Sequence, residues 1–495
     1  MTSLPRTGRN PLTVDTLKSP AKGGEDAAPS TFALTVLAHA DLRRVGEVAR
    51  LDGLRGGVPT LLSRVEPPFA PPGETGGRPL ADPCLSRQPV TISYNRDGSL
   101  RLVPPARDIT VEVDGETLAA PREVAATAID RGVVIQIASR VVVLLHRLAA
   151  RQEAAPPFGL VGDSDKLAAV RAQIQRVAGF ADPVLVTGET GTGKELVAEA
   201  LATAGRKGKP FVRINAGALV PGVAALQLFG SARGAYTDAK TSHEGYFLRA
   251  DGGTLFLDEV GKLVPETQAM LLRVLESKEI QPVGDTPPRR VDVRVVTATD
   301  ADLRALAAEG GFAQALVHRL GVLRIALPPL RERLEDLGRL LVHFLREAMA
   351  EQGDLARLDP RPADQTPWLP ADLVGRLARH DWPGNVRELR NFARGLARLG
   401  AGQPQASLDA ELMSQIAPRA PATPVVATVP AAVPELADRW NREQKAERER
   451  IVAALRAEGG NQTRAARLLG ISRGTLAARM DQFEIDRPQK RPTSP

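Results

Sequence analysis

Gly188-Glu-Thr-Gly-Thr-Gly-Lys194-Glu195 carries more information about this chain than any other segment. It follows the apolar segment Pro183-Val-Leu-Val-Thr187 and precedes the helix-forming segment Leu196-Val-Ala-Glu-Ala-Leu201. A strand, a glycine-rich loop and a helix in this order predict a phosphate-binding loop, because glycines let backbone N–H groups converge on an anion at a helix N-terminus. A glycine-rich turn without function is the alternative. The predicted nucleotide-binding residues are Gly188, Glu189, Thr190, Gly191, Thr192, Gly193, Lys194 and Glu195.

A second segment, Gly252-Gly-Thr-Leu-Phe-Leu-Asp258-Glu259, predicts an apolar strand that ends in two carboxylates. Ligands of open α/β sheets bind at the C-terminal strand ends, so these acids are expected beside the phosphate loop. Asp258 is the predicted Mg²⁺ ligand, and Glu259 is predicted to polarise a water for attack on the γ-phosphate. Two solvated acids at a strand end are the alternative interpretation.

Composition narrows the class of protein. The 495 residues are enough for about three domains, and the net charge of +7 suits a polyanionic partner. The single cysteine, Cys84, excludes an internal disulfide and fits a reducing compartment. The strongest apolar run, residues 133–148, contains Gln136, Arg140 and His146, so it is too short and too polar to cross a bilayer. We expect a soluble, cytoplasmic protein without a membrane partner.

Patterning divides the chain into successive segments. Between residues 31 and 148, short apolar segments alternate with turns such as Asp97-Gly98 and Asp114-Gly115, which is typical of a β-sandwich. Strands then alternate with helices, which predicts a parallel α/β sheet, and a helical region follows. The predicted boundaries are a disordered N-terminus at 1–30, a β-sandwich at 31–148, an α/β ATPase subdomain at 158–330, a helical lid at 331–400, a Pro/Ala-rich linker at 401–440 and a helix-turn-helix at 441–487.

The C-terminal segment has the form of two helices joined by a tight turn. Ala465, Leu468 and Leu469 are predicted to form one apolar face, Gly470 to permit the turn, and Ser472 to cap the second helix. Its exposed charges are basic, as expected for a reader of DNA phosphates and base edges. A plain helical hairpin with a solvated basic face is the alternative. The predicted DNA contacts are Arg464, Arg467, Arg473, Thr475 and Arg479.

Five motifs occur in a fixed order: GETGTGKE, GAYTDA at residues 234–239, GGTLFLDEV, LPPLRERLEDL at 327–337 and WPGNVRELRN at 382–391. Together they resemble the AAA+ domain of sigma-54-dependent transcriptional activators over residues 158–399. The resemblance implies ATP hydrolysis with Mg²⁺ in a ring, a hexamer that rests as a dimer, which remodels sigma-54 RNA polymerase. The terminal run GGNQTRAARLLGISRGTL resembles a Fis-type helix-turn-helix, which implies binding to an enhancer-like DNA site.

The resemblance also implies roles for single residues. Asn215 matches the asparagine that restrains the catalytic glutamate, Arg387 the lid arginine that contacts the γ-phosphate, and Arg319 an arginine presented to a neighbour's nucleotide. The implied sigma-54 contacts are Gly234, Ala235, Tyr236, Thr237, Asp238 and Ala239.

Three positions depart from the family pattern. Ala313 replaces a second arginine, Asp300 replaces an asparagine, and Asp238 replaces a glycine of the sigma-54 loop. We therefore expect ATP binding more firmly than fast hydrolysis. A nucleotide-responsive DNA-binding regulator or adaptor with a slow or inactive motor is the second hypothesis. A motor for protein folding or degradation is disfavoured by the helix-turn-helix.

The N-terminal sandwich resembles a forkhead-associated domain, which implies recognition of a phosphothreonine protein. Arg64, Ser86 and Arg87 match its phosphate-binding loop residues, because arginine donates charge-assisted hydrogen bonds to phosphate. Pro89 stands where a histidine is usual, and Asp114-Gly115 is expected to place an acid near the phosphate. A sandwich used only for packing or partner contact is the alternative.

Overall fold

The computed structural model describes residues 31–416 and 450–482, apart from residues 75, 107–108, 150–154, 221, 233–242, 286, 362–364, 452–453 and 455–461. The chain divides into a large unit, residues 1–421, and a C-terminal unit, residues 422–495. Among the described residues, no helix is both long and apolar enough to cross a membrane.

Residues 31–148 form a β domain of two sheets with an apolar core between them. One sheet has the strand order β2-β1-β10-β9-β6-β7 and the other β3-β4-β5-β8, with antiparallel pairing throughout. The strands are β1 (Thr31–Ala38), β2 (Val48–Arg50), β3 (Thr60–Leu62), β4 (Val90–Tyr94), β5 (Leu100–Val103), β6 (Val111–Val113), β7 (Glu116–Thr117), β8 (Arg122–Val124), β9 (Val133–Ile137) and β10 (Val141–Leu148), with helix α1 (Ala126–Arg131) before β9.

Strands β1, β9 and β10 are buried on both faces, because the six-stranded sheet lies between the rest of the β domain and the lid. Val133 and Ile135 of β9 point into the sandwich core. Val134, between them, belongs to the core of the lid, as do Val142 and Leu144 of β10. The domain therefore has an apolar outer surface that the lid covers.

The α/β subdomain contains a five-stranded parallel sheet in the order β12-β15-β18-β11-β19. The glycine-rich loop follows β11, which lies between β18 and β19, so the loop and the ends of β15 and β18 share one edge. The elements are α2 (Asp165–Val177), β11 (Val184–Thr187), α3 (Lys194–Gly205), β12 (Phe211–Asn215), α4 (Ala224–Phe229), β13 (Gly230–Ser231), β14 (His243–Glu244), α5 (Tyr246–Arg249), β15 (Thr254–Asp258), α6 (Pro265–Ser277), β16 (Glu279–Ile280), β17 (Arg289–Arg290), β18 (Arg294–Thr299), α7 (Leu303–Ala308), α8 (Gln314–Leu320) and β19 (Leu323–Ala326).

The lid is formed by helices α9 (Leu337–Gln352), α10 (Ala371–Ala378), α11 (Asn385–Leu399) and α12 (Ala410–Gln415). Helix α12 lies within the segment predicted as linker. Ala406, Leu412 and Ile416 are buried in the lid core, so the lid continues to at least residue 416, and the predicted boundary at residue 400 is too early. The short polar stretch around residue 404 misled the prediction because it only turns the chain back onto α11.

Close backbone approach joins the β domain to the lid. A Cβ on Gly338 of α9 would lie 2.5 Å from the Leu37 carbonyl oxygen of β1. On α10, Gly375 faces the Gln136 side chain, whose Nε2 donates a 2.6 Å hydrogen bond to Asp372. Small residues on both helices therefore let the sheet pack directly against the lid.

The C-terminal unit contains helices α13 (Gln462–Leu468) and α14 (Arg473–Gln482). Gly470 has a φ of +66°, and the Ser472 Oγ accepts a 3.0 Å bond from the Thr475 N–H, which confirms the predicted turn and cap. Leu468 is 61% exposed, so its predicted place on the apolar face is wrong. The helix is rotated so that Ala466 points inward instead. The core contains Ile451, Ala454, Ala465, Ala466, Leu476 and Met480.

Candidate nucleotide site

The loop between β11 and α3 has the backbone that its glycines predict. Gly188, Gly191 and Gly193 have φ values of +155°, +80° and +105°. A Cβ on Gly191 would collide with the Gly384 carbonyl oxygen of the lid, so glycine is also required there by close packing. The Thr192 Oγ1 donates a 2.8 Å bond to the Glu189 carbonyl and stabilises the turn.

Lys194 begins α3, and its Nζ donates to the carbonyl oxygens of Gly188 and Glu189 at 2.8 and 3.1 Å. The ammonium group is thereby folded back over the loop. Burial lowers the pKa of Lys194, while the nearby Asp300 and Asp258 carboxylates oppose this shift. The charge therefore lies where phosphate groups would meet the loop, and two weak carbonyl contacts hold it there.

Two lid residues form hydrogen bonds with the outer side of the same loop. Arg331 donates two hydrogen bonds to the Glu189 carboxylate, at 2.8 and 2.5 Å, and these bonds lower the pKa of Glu189 to about 2. Asn385 is fully buried. Its Nδ2 donates hydrogen bonds to the Glu189 carboxylate and the Thr190 carbonyl, both at 3.1 Å, and its Oδ1 accepts one from the Leu330 N–H at 2.8 Å. The Glu189 side chain is therefore a lid anchor, a role that its position in the motif does not reveal.

Asp258, at the end of β15, offers a carboxylate suited to Mg²⁺. Its Oδ1 accepts a 2.9 Å bond from the Glu259 N–H, and burial raises its pKa. One or two carboxylates plus substrate phosphates are the usual protein contribution to a Mg²⁺ site, so Asp258 fits the ion. Glu195 contributes differently, because its Oε1 accepts a 2.8 Å bond from Arg213.

Glu259 is held in the left-handed conformation, with φ +54° and ψ +41°. Its Oε2 accepts a 2.9 Å bond from Lys262 Nζ, and this bond is the main reason that the pKa of Glu259 is lowered; a hydrogen bond from Asn215 acts in the same direction. Asn215 pairs in register with Asp258 at the ends of β12 and β15. Sequence reasoning identified Asn215 but missed Lys262, whose only signal is its spacing of three residues from Glu259.

Asp300 follows β18 and faces the glycine-rich loop. The Thr190 hydroxyl donates a 2.7 Å bond to its Oδ2, and this bond lowers the pKa of Asp300. Lys194, Asp258, Glu259 and Asp300 thus converge at one edge of the sheet. The result is an acidic pocket whose negative charge Lys194 only partly offsets.

The two arginines implied by resemblance lie in different places. Arg387 is on lid helix α11, its N–H donates to the Gly191 carbonyl at 3.3 Å, and its charge opposes protonation of Lys194. Arg319 is on α8 and donates to the Leu275 carbonyl at 3.2 and 2.8 Å. Among the described residues, Arg319 makes no hydrogen bond or ion pair with the nucleotide site of its own protomer. Ala313 is exposed and caps α8 through its backbone.

The remaining predicted contacts lie on other surfaces. The residues Gly234 to Ala239 fall outside the described residues, between the paired strands β13 and β14. On the helix-turn-helix, Arg467, Arg473 and Thr475 are exposed. Arg464 is exposed on α13, and Arg479 is partly exposed on α14.

The predicted phosphopeptide residues meet at the loop between β3 and β4. Arg64 N–H donates a 3.0 Å bond to the Ser86 carbonyl, and Arg87 is exposed beside them. Asp114 lies elsewhere than expected. It belongs to the turn between β6 and β7, where its Oδ1 accepts from Val134 N–H and its neighbour Gly115 packs on Arg379 of the lid. The expected acid beside the phosphate is therefore wrong, because this turn faces the lid.

Comparisons with known proteins match three parts of the chain. Residues 160–326 match the sigma-54 interaction domain, residues 331–423 the AAA+ ATPase lid domain, and residues 444–483 the Fis family of bacterial regulatory proteins. The lid match extends beyond residue 400, as the buried α12 does. None of these three matches covers the β domain.

Full-length relatives agree with the domain matches. The DNA-binding transcriptional regulator NtrC of Bradyrhizobium sp. is 39% identical over 66% of this chain and 70% of its own length, and NtrC of Escherichia coli K12 is 38% identical over 67% and 71%. ZraR of Salmonella typhi is 40% identical over 66% and 69%. The chain therefore belongs to the family of sigma-54-dependent transcriptional regulators that includes NtrC and ZraR.

Proposed function

We propose that this protein activates transcription by hydrolysing ATP and using the energy to remodel sigma-54 RNA polymerase. The observation that carries the proposal is the convergence of Lys194, Asp258 and Glu259 at one sheet edge. The lid closes over this edge through Asn385, so a bound nucleotide would contact both subdomains and report its state to each.

Each residue at this sheet edge has a separate role in ATP hydrolysis. Lys194 and the loop N–H groups hold the β- and γ-phosphates, and Asp258 would hold Mg²⁺, which neutralises phosphate charge when bound. Glu259 orients a water and accepts its proton as the oxygen attacks phosphorus and the bond to ADP breaks. Asn215 orients Glu259.

We propose that the working form is a ring, with a hexamer assembled from dimers. Arg319 supports this proposal because, among the described residues, its guanidinium bonds to the Leu275 carbonyl and pairs with no carboxylate, which leaves its charge available to a neighbour's γ-phosphate. An arginine supplied by a neighbour raises turnover by roughly 10³–10⁵ in related phosphoryl transfers. The Gly234–Ala239 loop is the proposed sigma-54 contact, and the helix-turn-helix the proposed reader of an enhancer-like site.

We further propose that Arg64, Ser86 and Arg87 on the β domain bind a phosphothreonine protein, as in a forkhead-associated domain. The Arg64–Ser86 backbone bond brings the two loop segments together, and the removal of Asp114 to the lid face leaves no acid from that turn to repel phosphate.

Promoter opening with sigma-54 polymerase and ATP tests the proposed function. We expect opening by the native protein, ATPase activity that rises with protein concentration, and loss of both in Lys194→Ala, which removes the cation of the loop. Arg319→Ala should retain ATP binding but lose at least about tenfold in turnover. Opening that needs no ATP, or turnover independent of concentration, would contradict the shared site.

A second candidate function is a nucleotide-responsive DNA-binding regulator with a slow or inactive motor. Two observations favour it: the Lys262–Glu259 pair occupies the proposed base, and Asp300 adds a carboxylate beside the loop. Tight ATP binding without turnover at any protein concentration would select this function.

A further inference from the structure

Lys262 joins the nucleotide site through a short turn after β15. Residues Val260–Lys262 form one turn of 3₁₀ helix, and the left-handed backbone of Glu259 begins it. The turn brings Lys262 Nζ back to within 2.9 Å of Glu259 Oε2. The side chains are 62% and 34% exposed, so water can reach the pair.

The Lys262–Glu259 contact also involves the turn after β12, which lies beside both side chains. A Cβ on Gly217 would lie 3.1 Å from Asn215 Oδ1, 3.2 Å from Lys262 Cδ and 3.4 Å from Glu259 Oε2. The turn after β12 therefore guides the aliphatic part of Lys262 toward the carboxylate. Asn215 approaches the same carboxylate from that turn, so Glu259 has two partners that compete for its oxygens.

The charge of Lys262 acts on the whole acidic pocket. Glu259, Asp300 and Asp258 all raise the pKa of Lys262, with the Glu259 hydrogen bond the largest cause. A carboxylate that accepts a bond from an ammonium has one oxygen occupied, so it has fewer lone pairs free to accept from a water.

We propose that Lys262 is a positioning residue that holds the Glu259 carboxylate away from the attacking water and so limits the rate of ATP hydrolysis. This inference rests on the proposed function of the site. An ion pair this exposed to solvent is weak, so the hold can open in each catalytic cycle. Lys262 thus acts as a brake on turnover and not as a ligand of ATP.

The test compares the full-length variants Lys262→Gln and Lys262→Arg with the native protein. The glutamine keeps a similar length without the charge, and we expect its kcat at pH 7.5 to rise about two- to fivefold with unchanged KM for ATP. Lys262→Arg, which keeps the charge, should retain the native turnover, and Lys209→Gln, an exposed lysine before β12, is the charge-matched control.

Each remaining outcome decides between the inference and the proposed function. Native turnover together with an unchanged kcat in Lys262→Gln overturns the inference alone. A raised KM with a lowered kcat also overturns it, because Lys262 would then bind ATP. If only Lys262→Gln hydrolyses ATP, the inference stands and the native protein is the regulator with an inactive motor. If a fluorescent ATP analogue binds but neither protein hydrolyses ATP, both proposals fail.

Discussion

The lid meets its two neighbours in opposite ways. Toward the β domain it presents apolar helices with glycines, and Leu37 and Val142 enter its own core. Toward the glycine-rich loop it presents polar groups, with Asn385 and Arg331 bonded to Glu189. The first interface is mainly apolar packing, and the second is a set of hydrogen bonds around a ligand site.

This difference indicates which interface moves. Apolar interdigitated surfaces separate at a high cost in buried area, whereas a few hydrogen bonds can be exchanged for bonds to water or to a ligand. We therefore expect the β domain and lid to move together, and the lid to change its angle at the nucleotide site. A partner bound to the β domain would then act on the site through the lid.

The largest effect is expected from Gly338→Leu, which breaks the apolar interface. The new side chain would start 2.5 Å from the Leu37 carbonyl oxygen and 2.8 Å from Val45, so helix and sheet must separate. We expect a loss of about 3 kcal/mol in the free energy of unfolding, at the upper end for overpacking. Thermal unfolding and limited proteolysis between the β domain and lid measure it.

Gly474→Leu is the matched control, because among the residues that the structure describes the nearest atom to a Cβ at that position in α14 is Ser472 Oγ, at 3.8 Å. Leucine favours a helix over glycine, so this variant should be no less stable than the native protein. Equal stability of Gly338→Leu would show that the β domain does not pack on the lid in solution.

Asn385→Ala tests the polar interface. It leaves the buried Leu330 N–H without its acceptor and the Thr190 carbonyl without its donor, at a cost of about 2 kcal/mol. We expect roughly tenfold weaker ATP binding, measured by titration with a fluorescent analogue, because the loop loses its support. Asn385→Gly is the control for the backbone, since residue 385 has a φ of +53°. ATP affinity restored by glycine would mean that backbone strain, and not the lost bonds, weakens binding.

The sequence predicted the loop well because each of its glycines is needed locally, for a positive φ or for phosphate approach. The anchoring role of Glu189 could not be predicted in this way, because Asn385 lies 196 residues away in the chain. The burial of β9 on both faces could be predicted from the sequence. Val133-Val-Ile-Gln-Ile137 is a mainly apolar run, which is typical of a strand buried on both faces. The sequence shows that such a surface is covered but does not show by what.

The rotation of the first C-terminal helix about its axis was also predicted incorrectly from the sequence. Ala465, Leu468 and Leu469 share a spacing compatible with one apolar face, yet Leu468 is exposed and the smaller Ala466 is buried. Two short helices offer little apolar surface, so size alone did not identify the buried face. The tertiary partners Leu476 and Met480 determine the rotation.

Glu335→Gln examines the place where the lid, the β domain and α2 meet. Glu335 lines a cavity of about 620 Å³ together with His146 and Asp165, and burial raises its pKa to about 8 from an ordinary 4.5. Below pH 4.5 the carboxyl is protonated in both folded and unfolded chains. As the pH rises to 8 only the unfolded chain ionises, so stability falls over that window.

Glutamine removes this dependence, so the two proteins should be equally stable at pH 4. At pH 8 the variant should be more stable by about 1–2 kcal/mol, measured by urea unfolding at each pH. The exposed neighbour Glu332, which pairs with Lys166, provides the control: Glu332→Gln should show no such divergence. Parallel stability curves for Glu335→Gln would mean that water reaches the carboxyl.

The smallest effect is expected from Glu189→Gln, which removes the charge of the ion pair and one of its hydrogen bonds. An amide oxygen in the place of Oε2 can still accept from Arg331 Nη1 and Asn385 Nδ2, but the bond from Arg331 Nη2 is lost with the charge. Because Glu189 is 43% and Arg331 34% exposed, the pair contributes less than about 1 kcal/mol. We expect ATP affinity to change by less than about fivefold, and the difference from the native protein to become smaller in 1 M salt, because salt weakens an exposed ion pair. A loss of ATP affinity as large as that of Asn385→Ala, persisting at high salt, would contradict this expectation. It would mean that an ion pair shielded from solvent holds the lid to the loop, and the polar interface would then be as rigid as the apolar one.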